Sequence, residues 1–93
     1  DLRKAYKSKE RAIGRTRQLA QQFPHYYINV EGLEYIDVYR IFDGFGVTDS
    51  NIQHAIKKLL AAGNRGAKDF RKDVNESIIT LERRLDILDE NGT

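Results

Sequence analysis

Residues 48–73 read TDSNIQHAIKKLLAAGNRGAKDFRKD, and this stretch decides the fold. Thr48 or Asp49 can cap a helix by accepting backbone N–H bonds that its first turn leaves unpaired. Ile52, Ala55, Ile56, Leu59 and Leu60 then recur on one face at helical spacing. Gly63 stands where a helix end wants a left-handed residue. The loop Asn64-Arg65-Gly66-Ala67-Lys68 follows, and Asp69 opens the next helix. The stretch predicts helix, glycine-punctuated basic turn, helix, with the first helix over 49–62 and the second from about 68 to 89.

Outward from there the same period continues. Phe70, Val74, Ile78, Leu81, Leu85 and Leu88 alternate three- and four-residue steps, the stripe expected to face the core. Ile79 and Ile87 fall off it, which suggests a second contact, with the first helix or with another subunit. On the other side, 33–43 returns to helical spacing. Leu33, Ile36, Tyr39 (or Ile41) and Phe42 are expected to point inward, and Glu34, Asp37 and Arg40 outward. Gly44 and Gly46 should end that helix, with Phe45 and Val47 buried in the turn. Residues 24–32, PHYYINVEG, have strand-favouring side chains but no second strand to pair with, so an extended connector is expected. Residues 2–22 read as a helix ended by Pro24, with Ala5, Tyr6, Ala12, Ile13, Leu19, Ala20 and Phe23 on one broad face. Gly14 weakens it by roughly 1 kcal/mol relative to alanine.

The expected architecture is therefore all-α: one small four-helix domain over 1–93. It divides into a basic N-terminal helix (1–23), a connector (24–32) and a three-helix core (33–89). At 93 residues it sits near the lower end of what buries a self-sufficient core, and a homo-oligomer is expected. Apolar content of 40% is too high for a disordered chain. The absence of cysteine excludes disulfides and cysteine-based zinc sites. No apolar run approaches the roughly 18 residues of a membrane span. No signal peptide is visible, so no membrane association and a cytoplasmic location are expected. The sequence begins at Asp1 without a methionine, so an initiator or a leader is expected before it.

Charge is unevenly placed. Residues 1–23 carry seven basic against two acidic residues, and the rest carries nine against twelve, so a +5 segment is followed by a −3 one. Arg3, Lys4, Lys7, Arg11 and Arg15 share the face of the first helix opposite its apolar side. Such a stripe can neutralise nucleic-acid phosphates, or it can meet the acidic C-terminal end within or between molecules.

The loop after the third helix carries the other candidate chemistry. A helix N-terminus presents free N–H groups and partial positive charge. Gly63 and Gly66 let the backbone approach a ligand, Arg65 offers a planar fork for phosphate and Lys68 a point charge. His54, Lys57 and Lys58 are expected on the polar face of the preceding helix, close to the same loop. The plainer reading is that these cations only stabilise a helix C-terminus. The loop is not a Walker A motif: the glycines are too close, Lys68 is followed by Asp69, and a helix rather than a strand precedes it. Glu34 with Asp37, and Asp69 with Asp73, are spaced to share Mg²⁺, though solvated helix face explains them as well. His25, Tyr26 and Tyr27 form an aromatic cluster that can stack on a base or pack a hinge. The two histidines, His25 and His54, do not make a metal site by themselves.

The order His25-Tyr26, Gly32-Leu33-Glu34-Tyr35-Ile36-Asp37, Gln53 to Lys58, Gly63, Arg65-Gly66, Lys68-Asp69 and Lys72-Asp73-Val74 resembles a group of small phage-encoded helical proteins labelled nucleotide-kinase-like. The resemblance covers about residues 24–78. Lys57, Gly63 and Asp73 match that pattern, whereas Gln53-His54 replaces Gly-Asn, Lys58 replaces Tyr and Ala61 replaces Arg. The resemblance implies a phage origin, hence the host cytoplasm, and a nucleotide-type ligand. The leading expectation is a binder of a nucleotide or phosphorylated small molecule, able to sequester a host defence signal, with no cofactor and no catalytic residues. The alternatives are a nucleic-acid- or protein-binding accessory factor acting through the first helix, and a nucleotide kinase, which would bring Mg²⁺.

Overall fold

The structure, a computed structural model, describes the backbone of residues 2–64, 66 and 69–93, and side chains from Lys7 onward within those ranges. The sequence positions Arg65 and Lys68, and the side chains of Arg3 and Lys4, lie outside the described residues. Among the described residues there are four α-helices and no strand, so the protein is all-α. Among the described residues, no helix is long and apolar enough to cross a membrane. The chain divides into two compact units, Asp1–Ile36 and Asp37–Thr93.

The first unit is built on α1, Leu2–Gln22, which runs through Gly14 without a break. A short 3-10 turn, Pro24–Tyr26, follows, with Pro24 at its first position, where the missing N–H is no loss. The Tyr26 N–H donates to Phe23 O and the Tyr27 N–H to Pro24 O. The connector is thus a helical turn followed by irregular chain, rather than extended throughout. Leu33 and Ile36, expected to face a core from within a helix, are 39% and 48% exposed on non-helical backbone.

The second unit holds α2 (Val38–Phe45), α3 (Ser50–Leu60) and α4 (Phe70–Glu90). α2 begins five residues later than its periodicity predicts, because Asp37 is a cap and not a helical residue. Its backbone is extended, and its carboxylate accepts from the Arg40 N–H at 2.9 Å. Gly44 remains inside the helix, and Gly46, at φ 69°, ends it. The Val47 N–H donates back to Phe42 O at 2.8 Å, which leaves Phe45 41% exposed instead of buried. Of the two cap candidates for α3, Asp49 does the capping, accepting from the Ile52 N–H at 3.0 Å. α4 is capped by Asp69 through the Lys72 N–H at 2.7 Å.

α3 and α4 pack as an antiparallel hairpin. The Asn51 amide donates to Thr80 O, Lys58 pairs with Glu76, and the Gly63 N–H donates to the Asp73 carboxylate. These contacts reveal the main departure from the periodicity. The seam between the helices is lined by Ala55 and Lys58 on α3, and by Asp73 and Ser77 on α4, all buried. The expected core stripe of α4 lies one residue further round the helix. Phe70, Ile78, Leu81 and Leu85 are between 36% and 64% exposed, and Val74 and Leu88 are half-buried. Phe42 and Ala55 are the buried hydrophobic residues among those described. Apolar periodicity reports which residues share a face, but not which face meets the neighbouring helix.

Candidate functional site

The turn after α3 is fixed from below. Gly63 adopts φ 78°, a conformation that strains any side-chain-bearing residue. Its N–H donates to Asp73 Oδ2 at 3.1 Å, and Asp73 is fully buried. The Asn64 N–H donates to Ala61 O at 2.9 Å, closing the turn. Asp73 lies in the first turn of α4, where a carboxylate is favoured by the helix dipole. Gly66 is exposed at φ 66°, so the backbone is left-handed at both glycines.

The two lysines of α3 have different environments. Lys58 is 8% exposed, sits on the seam and pairs with Glu76 of α4. It is spaced three residues from Ala55, which places it on the packed side rather than on the expected polar face. Lys57 is exposed beside α2. Its Nζ donates to Tyr39 Oη over a long 3.5 Å and lies 5.7 Å from the Tyr39 ring centroid, within cation–π range. The Tyr39 ring meets buried Phe42 edge-to-face, with centroids 6.1 Å apart and planes at 89°. Phe42 therefore seats Tyr39, and Tyr39 seats the Lys57 ammonium. Tyr39 is still 62% exposed, so part of its ring is open to a ligand. A shallow depression joins Tyr39, Phe42, Ser50, Gln53, His54 and Lys57. One of its walls is held by the Gln53 side-chain amide, which donates to Val47 O at 2.7 Å.

His54 and Lys57 thus come together, as their spacing implies. Tyr39 joins them, although its periodicity made it only a core candidate. No sequence signal identifies it, because its role depends on where α2 lies against α3. Three of the four carboxylates in the candidate pairs have structural roles, and Glu34 is exposed. Asp37 and Asp69 cap helices, and Asp73 holds Gly63. Among the described residues no group of three or more His, Asp or Glu side chains converges to hold a metal ion.

Asp49 anchors the other end of α3. The Ile52 N–H bond is the largest influence holding its carboxyl below the ordinary 3.8; burial opposes, and the Arg84 guanidinium paired with it assists.

In the first unit Lys7, Arg11 and Arg15 are all exposed along α1. His25 stacks on Tyr26 with centroids 4.3 Å apart and planes tilted by 48°, and Tyr26 is 71% exposed. Tyr27 is half-buried. Comparison with protein-family models, with curated proteins and with solved structures finds no match.

Proposed function

We propose that the protein binds a nucleotide or a similar phosphorylated small molecule on the flank of α3, between Tyr39 and the glycine turn. The observation that carries this reading is the seated Tyr39–Lys57 pair beside His54. A half-exposed ring offers a face for a base, and an ammonium at its edge offers a partner for phosphate. In sequence, Arg65 and Lys68 follow the anchored turn at Gly63 and add two cationic residues to the segment between α3 and α4. The resemblance to small phage nucleotide-kinase-like proteins points the same way, and in such a setting binding alone suffices to sequester a host signal.

The test is thermal denaturation of the intact chain with a panel of nucleoside mono-, di- and triphosphates, cyclic nucleotides and phosphosugars. A ligand at about one hundred times its Kd stabilises by about 2.7 kcal/mol, a shift of roughly 10 °C or more in a domain this small. The shift should vanish in Tyr39→Ala and Lys57→Ala and shrink in Arg65→Ala with Lys68→Ala. A panel without any shift sinks the reading. A second reading rests on the exposed Lys7, Arg11 and Arg15 of a 21-residue helix. It has α1 binding a nucleic acid, with salt-steep affinity that is lost in Arg11→Ala with Arg15→Ala.

A further inference from the structure

The apolar residues that fail to enter the seam of the second unit form one continuous face. On α3, Asn51, Ala55 and Lys58 turn toward α4, and Ile52, Ile56 and Leu59 lie one residue on from them. On α4, Asp73, Ser77 and Thr80 turn toward α3, and Val74, Ile78 and Leu81 lie one residue on. One residue is about 100° of helix rotation, and in an antiparallel pair that rotation carries both rows to the same side of the hairpin. Ile52, Leu59, Ile78, Leu81 and Leu85 are 36% to 60% exposed there. The face runs about 31 Å along the 21 residues of α4. Over α3 it is two helices wide, an extent that suits the ~800 Å² per partner of a standard interface.

We infer that this face is covered by a second copy of the chain, with the two α4 helices antiparallel about a two-fold axis near Ile79–Thr80. The stripe reads almost the same in both directions. Reversed on itself, Ile78 meets Leu81 of the second copy, Val74 meets Leu85, and Phe70 meets Leu88, an isologous arrangement. The steps of four and three residues are those of helices that pack along each other. The bordering polar residues reverse with matching chemistry. On one edge of the stripe, Arg71 comes opposite Asp89 of the second copy, and Asn75 opposite Glu82. In a single chain that charge order is unfavourable. Arg71 and Lys72 sit at the positive end of the α4 dipole, Asp86 and Asp89 sit at its negative end, and no basic residue lies in the last turn. Antiparallel pairing places each charged end against its opposite. The face also supplies what the unit lacks, since its buried hydrophobic residues among those described are Phe42 and Ala55. Lys57 and His54 lie on other sides of α3, so this inference stands or falls apart from the ligand-binding proposal.

The experiment is sedimentation equilibrium of the intact chain, followed by cross-linking. The mass should be twice the 10.8 kDa of one chain. Arg71→Glu and Asp89→Arg should each weaken self-association by about tenfold or more, and an equimolar mixture of the two should restore it. The chain has no cysteine, so introduced thiols report position cleanly. Val74→Cys mixed with Leu85→Cys should form a disulfide across the pair, and neither variant alone should. A single-chain mass at roughly 100 μM, far above the Kd of a standard interface, overturns the inference. So does cross-linking of Val74→Cys with itself, which indicates parallel helices.

Discussion

Removing the Asp73 carboxylate should loosen the α3–α4 hairpin more than the loss of any single exposed apolar side chain. Asp73 is fully buried and accepts from the Gly63 N–H, a part-buried bond of 3.1 Å. In Asp73→Ala that donor loses its acceptor, at about 1–3 kcal/mol. The carboxylate also faces the positive end of α4, an interaction of about 0.3–2 kcal/mol. The sum, about 1–5 kcal/mol, compares with about 3–8 kcal/mol expected for a unit of 57 residues, Asp37–Thr93. Roughly half the stability is therefore at stake. Asp73→Asn keeps an oxygen that can accept from Gly63 but loses the charge, so it should cost about 1–2 kcal/mol. Urea denaturation followed by far-UV circular dichroism reads both. With a urea slope of about 1 kcal/mol per molar, the midpoint of the alanine variant should fall by about 1 M or more. If both variants lay within about 0.5 kcal/mol of wild type, the range of ordinary surface changes, the claim that Asp73 holds the turn would be refuted.

Two further outcomes follow from the helices. Because the folded-state Asp49 carboxyl lies below the ordinary 3.8, its contribution is fully present above that value and is lost as pH falls through the lower folded value. Asp49→Ala should flatten the acid limb of a stability–pH curve and lower stability near neutrality through the lost cap; an unchanged acid limb counts against the Ile52 and Arg84 contacts. Gly14 lies mid-helix in α1 with open space around its Cβ position, so Gly14→Ala should stabilise α1 by about 1 kcal/mol and raise helicity. Reduced helicity would mean that α1 is not continuous there.

Much of the fold was legible before any coordinates. The extent of α1, the caps Asp49 and Asp69, and the turn at Gly63 all follow from local chemistry. Capping and left-handed glycines are decided within a few residues of chain, so the sequence carries them directly. The apolar spacing before Asp37 imitates a helix and so does not locate the start of α2, whereas the Arg40 N–H bond to the Asp37 carboxylate defines the boundary. The site was legible only in part. His54 and Lys57 share a flank by spacing alone, but Lys58 points into the seam, and Tyr39 enters from a different helix.

The sequence by itself thus determined that the chain is helical, where most helices begin and end, and which residues share a helix face. Only the tertiary structure decided which face α3 turns toward α4. It chose the one with Ala55, Lys58, Asp73 and Ser77, where a small side chain, an ion pair and a buried carboxylate fit between the helices. A helical period is a property of one helix, whereas a seam is a property of two. Rotating α4 by one residue leaves every local preference satisfied and exchanges an apolar seam for a polar one.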